Sequence, residues 1–333
     1  MRDTTCAECS DESHNGILIS IACPFFNEED SVKQFFDSIF MVMGQLKEDF
    51  EIVCVNDGST DKTLDLLYGY SFDHTNIKVI NLSRNFGKEA ALTAAIDFSV
   101  GDVVIPIDAD LQDPPSLIIQ MIERWREGYD VVLARRTDRT SDSFLKRLTA
   151  MAFYKLHNKI SSPPLPENVG DFRLMSREVV EAIKCLPERH RFMKGLFAWV
   201  GFKTAVIDYV RPPRTTGKTK FNGWRLWNFA LEGVTSFSTM PLSVWLYVGF
   251  ITAFGSFAYA TFIFLRTIIL GIDLPGYASM LCLILFLGGL QLIGIGVVGE
   301  YLGRTYMESK HRPVYIVRNT ELLKTVGGKK CNE

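Results

Sequence analysis

The sequence predicts an α/β domain built on a mostly parallel sheet, followed by an amphipathic segment lying on a membrane and two helices that cross it. Three observations carry that expectation. Strand-like and helix-like runs alternate from residue 16 onward, the pattern of a sheet covered by helices on both faces. Short polar motifs recur where the strand-like runs end. Finally, residues 242–265 and 277–299 contain no charged side chain.

Taken in order, residues 16–23 (GILISIAC) read as an apolar strand, and 28–46 have helical spacing. Residues 50–55 form a second strand, and a helix over 61–70 opens behind Asp57-Gly58-Ser59-Thr60. A third strand spans 77–82, a helix 88–100, a fourth strand 102–107 and a further strand 129–133. The organisation is a tail over 1–15, the α/β domain over 16–221, an interfacial segment over 222–241, spans over 242–265 and 277–299, and a C-terminal tail over 300–333. In the interfacial segment Trp224, Trp227, Phe229 and Phe237 interleave with Arg225, Asn228 and Glu232, which suits the headgroup layer.

Both charge-free runs reach the roughly 20 residues that a helix needs to cross a bilayer. Arg211, Arg214, Lys218, Lys220 and Arg225 precede the first, and Arg304, Lys310 and Arg312 follow the second. Positive flanks place both termini in the cytoplasm. Gly288, Gly289, Gly294, Gly296 and Gly299 allow close approach of a neighbouring helix.

The chain of 333 residues has a net charge of −2, which offers no case for a nucleic-acid partner. Its seven cysteines are scattered, favouring thiols in a reducing compartment over a disulfide framework. Cys6 and Cys9 form a lone C-x-x-C with no second ligand pair nearby. The start of the chain shows no apolar run of the signal-peptide kind, so the α/β domain is expected on the side where it is made.

Ligands on parallel sheets gather at the carboxyl ends of the strands. There the sequence places Pro24-Phe25-Phe26-Asn27-Glu28-Glu29, Asn56-Asp57-Gly58-Ser59 and Asp108-Ala109-Asp110-Leu111-Gln112-Asp113. Ser59, Asp61 and Asp113 are also good helix caps. Capping does not account for Asp108 and Asp110. On an extended segment residues i and i+2 point the same way, so two hard carboxylates converge, a set suited to Mg²⁺ or Mn²⁺. Neither a P-loop nor a G-x-G-x-x-G motif is present.

These motifs, with Arg84-Asn85-Phe86-Gly87-Lys88, residues 153–159 (FYKLHNK), residues 167–174 (ENVGDFRL) and Phe221-Asn222-Gly223-Trp224, resemble family 2 glycosyltransferases of the GT-A fold. Within that family the likeness is to the polyprenyl-phosphate glycosyltransferases, in particular the bactoprenol glucosyltransferase group of phage-type O-antigen glucosylation systems. It covers nearly all of the chain after residue 16.

The resemblance implies inverting transfer of glucose from UDP-glucose to undecaprenyl phosphate at the inner membrane of a bacterium. It implies that the Pro24–Glu28 loop, with Phe26 and Asn27, and Asp57 hold uracil and ribose. Lys88 would approach the diphosphate, and Asp108, Asp110 and Gln112 would hold the metal against it. Asp171 would face the sugar as base or hydroxyl orienter; the base role is dispensable because a phosphate monoester is largely ionised at neutral pH. Arg136, Arg147, Arg211 and Lys220 are the candidates for the acceptor phosphate, since cations and Arg forks suit its oxygens. His157 and His190 read as structural. Partners implied are membrane lipids, further copies of the chain, a flippase and a second glucosyltransferase. An aminosugar or mannose donor, or a non-catalytic flippase or scaffold, are the alternatives. A processive synthase is disfavoured because Q-x-x-R-W is absent.

Overall fold

The computed structural model describes residues 16–137, 169–189, 191, 193–210, 240–270 and 276–318. Arg147, Arg211, Lys220, His157, His190, the tail over 1–15 and interfacial residues 222–239 lie outside the described residues.

Seven strands form one sheet: β1 (Leu18–Phe25), β2 (Asp49–Asn56), β3 (Ile77–Asn81), β4 (Val103–Pro106), β5 (Val131–Arg136), β6 (Val169–Ser176) and β7 (Thr204–Tyr209). Their order is β3-β2-β1-β4-β6-β5-β7. β6 runs antiparallel to both β4 and β5, while the other pairings are parallel. The central strands are apolar along their whole length because both faces are covered, as parallel sheets require. On one face α1 (Val32–Met43), α2 (Thr63–Asp73) and α4 (Leu117–Arg126) bury Phe35, Phe36, Ile39, Leu67, Ile118 and Met121. On the other, α3 (Lys88–Asp97), α5 (Arg177–Lys184) and α6 (Met193–Trp199) bury Ala91, Leu92, Val180, Ile183 and Leu196. α3 is rich in alanine, so it lies close against β1 and β2.

Several expectations need correcting. β1 continues through Pro24 and Phe25, which were placed in the loop beyond it. α1 starts at Val32 rather than residue 28. The chain turns at Ala109-Asp110 instead of running extended, with the Leu111 N–H donating to Asp108 O and Leu111 at φ 49°. Alternation along a strand therefore does not set the direction of the two carboxylates. The N-cap position of α4 is Ser116 rather than Asp113, and Asp113 accepts a hydrogen bond from the Tyr209 hydroxyl.

Two long helices follow, α7 (Met240–Leu270, 31 residues) and α8 (Tyr277–Ser309, 33 residues). At 1.5 Å per residue they measure about 46 and about 50 Å. Both exceed the expected limits, so Arg266 lies inside α7, and Glu300, Arg304 and Glu308 inside α8. Among the described residues, Phe286–Ser309 is long and apolar enough to cross a membrane, whereas the apolar stretch Tyr247–Tyr259 in α7 is shorter. Phe250, Phe254, Phe257, Leu292 and Ile295 stand exposed on these helices. Of the glycines singled out in the second span, Gly294 is the one whose added Cβ would overlap the Trp245 indole of α7; at Gly288, Gly289, Gly296 and Gly299 there is open space.

Of the expected C-terminal tail over 300–333, residues 319–333 lie outside the described residues, and 300–309 continue α8. Beyond α8 the chain returns to the α/β domain, where Leu82 and Val317 form an antiparallel bridge at the β3 edge.

Candidate active site

The strand order reverses between β1 and β4, and in open α/β sheets the crevice at such a switch point is the ligand site. A cavity of about 310 Å³ opens there, lined by Pro24, Phe25, Phe26, Glu28, Asp57, Lys88, Asp108 and Asp110 among others. Seven of the residues expected to act there from the sequence thus line one pocket. Asn85, Gly87, Ala91 and Ala109 complete it; the first two belong to a motif already visible in the sequence, but no chemical signal singled them out.

Asn27 plays a different part. It adopts φ 53°, its N–H donates to Ser59 Oγ at 3.0 Å, and its Oδ1 accepts from the Thr60 N–H at 2.8 Å. The Glu28 N–H donates to Thr63 Oγ1 at 2.9 Å, and the Glu29 N–H to Asp61 Oδ2 at 3.2 Å. These bonds zip the loops after β1 and β2 into one wall.

Asp57 is buried and accepts from the Phe86 and Gly87 N–H groups at 2.7 and 2.9 Å. Burial raises its pKa, and those two donors oppose the rise. The bracket requires the 84–87 loop to lie directly on Gly58, where a Cβ would come within 2.6 Å of the Arg84 carbonyl carbon. Gly58 also has φ 66°, so glycine is needed twice over.

At the centre Lys88 Nζ lies 2.8 Å from both Asp108 Oδ2 and Asp171 Oδ2. α3 supplies Lys88 from its first turn, β4 leads into Asp108, and antiparallel β6 carries Asp171. Burial works against the ammonium, but the two carboxylates hold its pKa well above the ordinary lysine value. Burial likewise raises Asp108, with Lys88 opposing. For Asp171 the attraction of Lys88 and Lys194 outweighs burial and lowers the pKa. Asp171 Oδ1 is buried without a hydrogen-bond partner, an uncompensated acceptor beside the pocket.

Asp110 is exposed and pairs with Gln112, whose backbone N–H lies 3.2 Å from Asp110 Oδ1 and whose side-chain amide reaches Oδ2. Burial raises the pKa of Glu28; its Ser31 hydrogen bond opposes this, while Asp110 and Asp108 push it further up. Carboxylates that raise a neighbour's pKa mark surplus negative charge. Arg136 ends β5 opposite Tyr209 of β7 and is not among the lining residues.

The sequence reading missed a supporting layer. Arg173 is buried, stacks over the Phe197 ring at 4.0 Å and donates to Gly170 O at 2.7 Å. Burial lowers its pKa to about 10, with Asp171 opposing. Glu89 accepts from the Met193 N–H at 3.2 Å and so ties α6 to α3. Arg173 falls inside a quoted motif and Glu89 directly follows one, but a charge within an apolar strand and one beside Lys88 announced no role by themselves.

A mostly parallel α/β sheet with acidic loops and a lysine around a switch-point pocket defines a doubly covered α/β protein with an anion- and cation-binding crevice at its strand ends. Comparison with known proteins makes this specific. Residues 20–184 match the profile described as Glycosyl transferase family 2. A protein described as an uncharacterized glycosyltransferase from Synechocystis is 55% identical over 301 residues, 90% of this chain and 95% of that one. The bactoprenol glucosyl transferase of Shigella phage SfV is 54% identical, covering 90% of this chain and 98% of its own length. Among solved structures, glucosyl-3-phosphoglycerate synthase from Mycobacterium tuberculosis, in complex with Mn²⁺, UDP and phosphoglyceric acid, has a TM-score of 0.48 at 20% identity, over 66% of this chain and 77% of that chain. The protein belongs to glycosyl transferase family 2 and is a glycosyltransferase.

Proposed function

We propose that the protein transfers glucose from UDP-glucose to undecaprenyl phosphate, with inversion, at the cytoplasmic face of a bacterial inner membrane. The observation that carries the reading is the Lys88–Asp108–Asp171 cluster at the head of the switch-point pocket. The identity to a bactoprenol glucosyl transferase supports the choice of sugar and lipid.

Uracil and ribose lie along Pro24, Phe26, Glu28 and Asp57, and the diphosphate extends toward Lys88. Donor binding draws the Lys88 ammonium from Asp108 to the diphosphate, which frees the Asp108 carboxylate. Asp108 and Asp110, with Gln112 behind Asp110, fit a hard divalent ion, Mg²⁺ or Mn²⁺. Two carboxylates suffice when water and diphosphate oxygens complete the shell, and the mutual repulsion around Glu28, Asp108 and Asp110 is what a cation relieves. Among the described residues no group of three or more His, Cys, Asp or Glu forms an all-protein cage. When bound, the ion neutralises charge developing on the UDP leaving group. The unpartnered Asp171 Oδ1 accepts a sugar hydroxyl and fixes the ring for in-line attack by the already ionised acceptor phosphate.

α7 and α8 both cross the bilayer in this reading. The charge-free run from Met240 to Leu265 and the exposed apolar side chains of both helices support it. The return of the chain to β3 after α8 supports a catalytic domain and a C-terminal end on one side. Arg136, Arg147, Arg211 and Lys220 receive the lipid phosphate, and a flippase and a second transferase then handle the lipid-linked glucose. Purified protein incubated with undecaprenyl phosphate and a panel of nucleotide sugars tests the proposal. UDP-glucose is expected to give the fastest lipid product; preference for an aminosugar or mannose donor overturns the assignment of glucose.

A further inference from the structure

The segment after α8 makes contacts that a tail would not need. The Ser83 N–H donates to Ile316 O at 2.8 Å, and the Arg318 N–H donates to Asn81 O at 2.7 Å. The Tyr315 hydroxyl donates to Asp97 Oδ2 at 2.9 Å, and its ring packs near Phe98 at the end of α3. The helix end itself is also held: the Arg189 N–H donates to Glu308 Oε1 at 3.1 Å, and Arg189 Nε donates to Arg312 O at 2.7 Å.

Two routes lead from these contacts into the pocket. Ser83 is followed at once by the 84–87 loop, whose Phe86 and Gly87 amides hold Asp57 and whose next residue is Lys88. Asn81, gripped through its carbonyl by Arg318, accepts through Oδ1 from the Asn56 side-chain amide at 2.8 Å. Asn56 Oδ1 in turn accepts from the Ser59 N–H, behind the wall that Asn27 and Thr60 complete. An edge strand with unmet backbone groups is otherwise free to fray, and here the fraying end of β3 would carry the donor loop with it.

We propose that Tyr315–Arg318 is a positioning strap: it pins the end of β3 so that the 83–88 loop is preset for the donor, and thereby couples seating of α8 to donor binding. This rests on the nucleotide-sugar reading for the identity of the donor alone. No strap residue is itself among the lining residues of the pocket, so the strap acts on affinity through the loop rather than on the chemical step.

The test compares full-length Tyr315→Phe/Arg318→Pro, which removes one hydroxyl and one backbone N–H, with Arg318→Ala, which keeps that N–H. Hydrogen exchange at the Phe86 and Gly87 amides, without ligand, is expected to speed up about five-fold or more in the double variant and to stay at the wild-type rate in Arg318→Ala. UDP affinity and donor KM are expected to weaken by a similar factor while kcat stays within about two-fold. Should Arg318→Pro prevent folding, Tyr315→Phe alone gives the same readouts at smaller size. Unchanged exchange at 86 and 87 overturns the strap, as does an equal effect in Arg318→Ala, or a fall in kcat with KM unmoved. If wild-type protein bound no nucleotide sugar, the proposed donor would fail while the exchange result still decided the strap.

Discussion

Burial and the charge of Asp171 push the Glu89 carboxyl up to about 7, against the Met193 N–H that favours its ionised form. The native state therefore holds a proton that the unfolded chain, with an ordinary value of 4.5, has already lost. Stability then falls as pH rises between those two values, by about 3 kcal/mol in all. Glu89→Gln is expected to flatten this slope, read as the thermal midpoint across pH 4.5 to 7.5. At Asp110 the stakes are chemical, because its exposed carboxylate stabilises little else. Asp110→Ala is expected to lower kcat by about 100-fold or more while circular dichroism stays that of the wild type. Wild-type turnover in that variant would remove Asp110 from the site. At this scale the sequence was most readable where residue type and position both speak: carboxylates at the ends of β2 and β4 meet at one pocket. Asn27 shows the limit, since an Asn in such a loop serves a ligand or a neighbouring backbone equally well, and here it serves Thr60.

Among the elements, β1 to β5 and α1 to α3 follow from the sequence pattern, because burial on both faces leaves long uninterrupted apolar runs in the strands. β6, β7 and the helices α4, α5 and α6 escaped the reading. β6 carries Asp171 and Arg173 in mid-strand, breaking the pattern that would announce it, and β7 is half exposed at a sheet edge. The two long C-terminal helices expose a different gap: their apolar runs were plain, but the partner of each glycine was not. Gly294 accommodates the Trp245 indole, so Gly294→Val is expected to separate α7 from α8 locally. A drop of several degrees in the thermal midpoint in lipid nanodiscs, with Gly296→Val close to wild type, is the expected outcome.

On the scale of the whole molecule, a charged pocket, two long apolar helices and a segment that returns to the β3 edge belong to one chain. Stripping divalent ions from purified protein is expected to abolish lipid glucosylation and to weaken UDP binding, with both restored by Mg²⁺ or Mn²⁺. Undiminished glycolipid synthesis after rigorous chelation would refute the role given to Asp108 and Asp110.

The sequence by itself determined the fold class, the apolar helices and the pocket motifs, because each is a local pattern: periodicity, charge-free length, or residue types at a strand end. Tertiary structure alone decided that Lys88 spans Asp108 and Asp171, and that Tyr315–Arg318 returns to β3. Those pairings join residues up to 237 positions apart (Asn81 to Arg318, 318 minus 81). A contact of that span depends on where the whole chain places its ends, and leaves no periodic trace in either partner's neighbourhood.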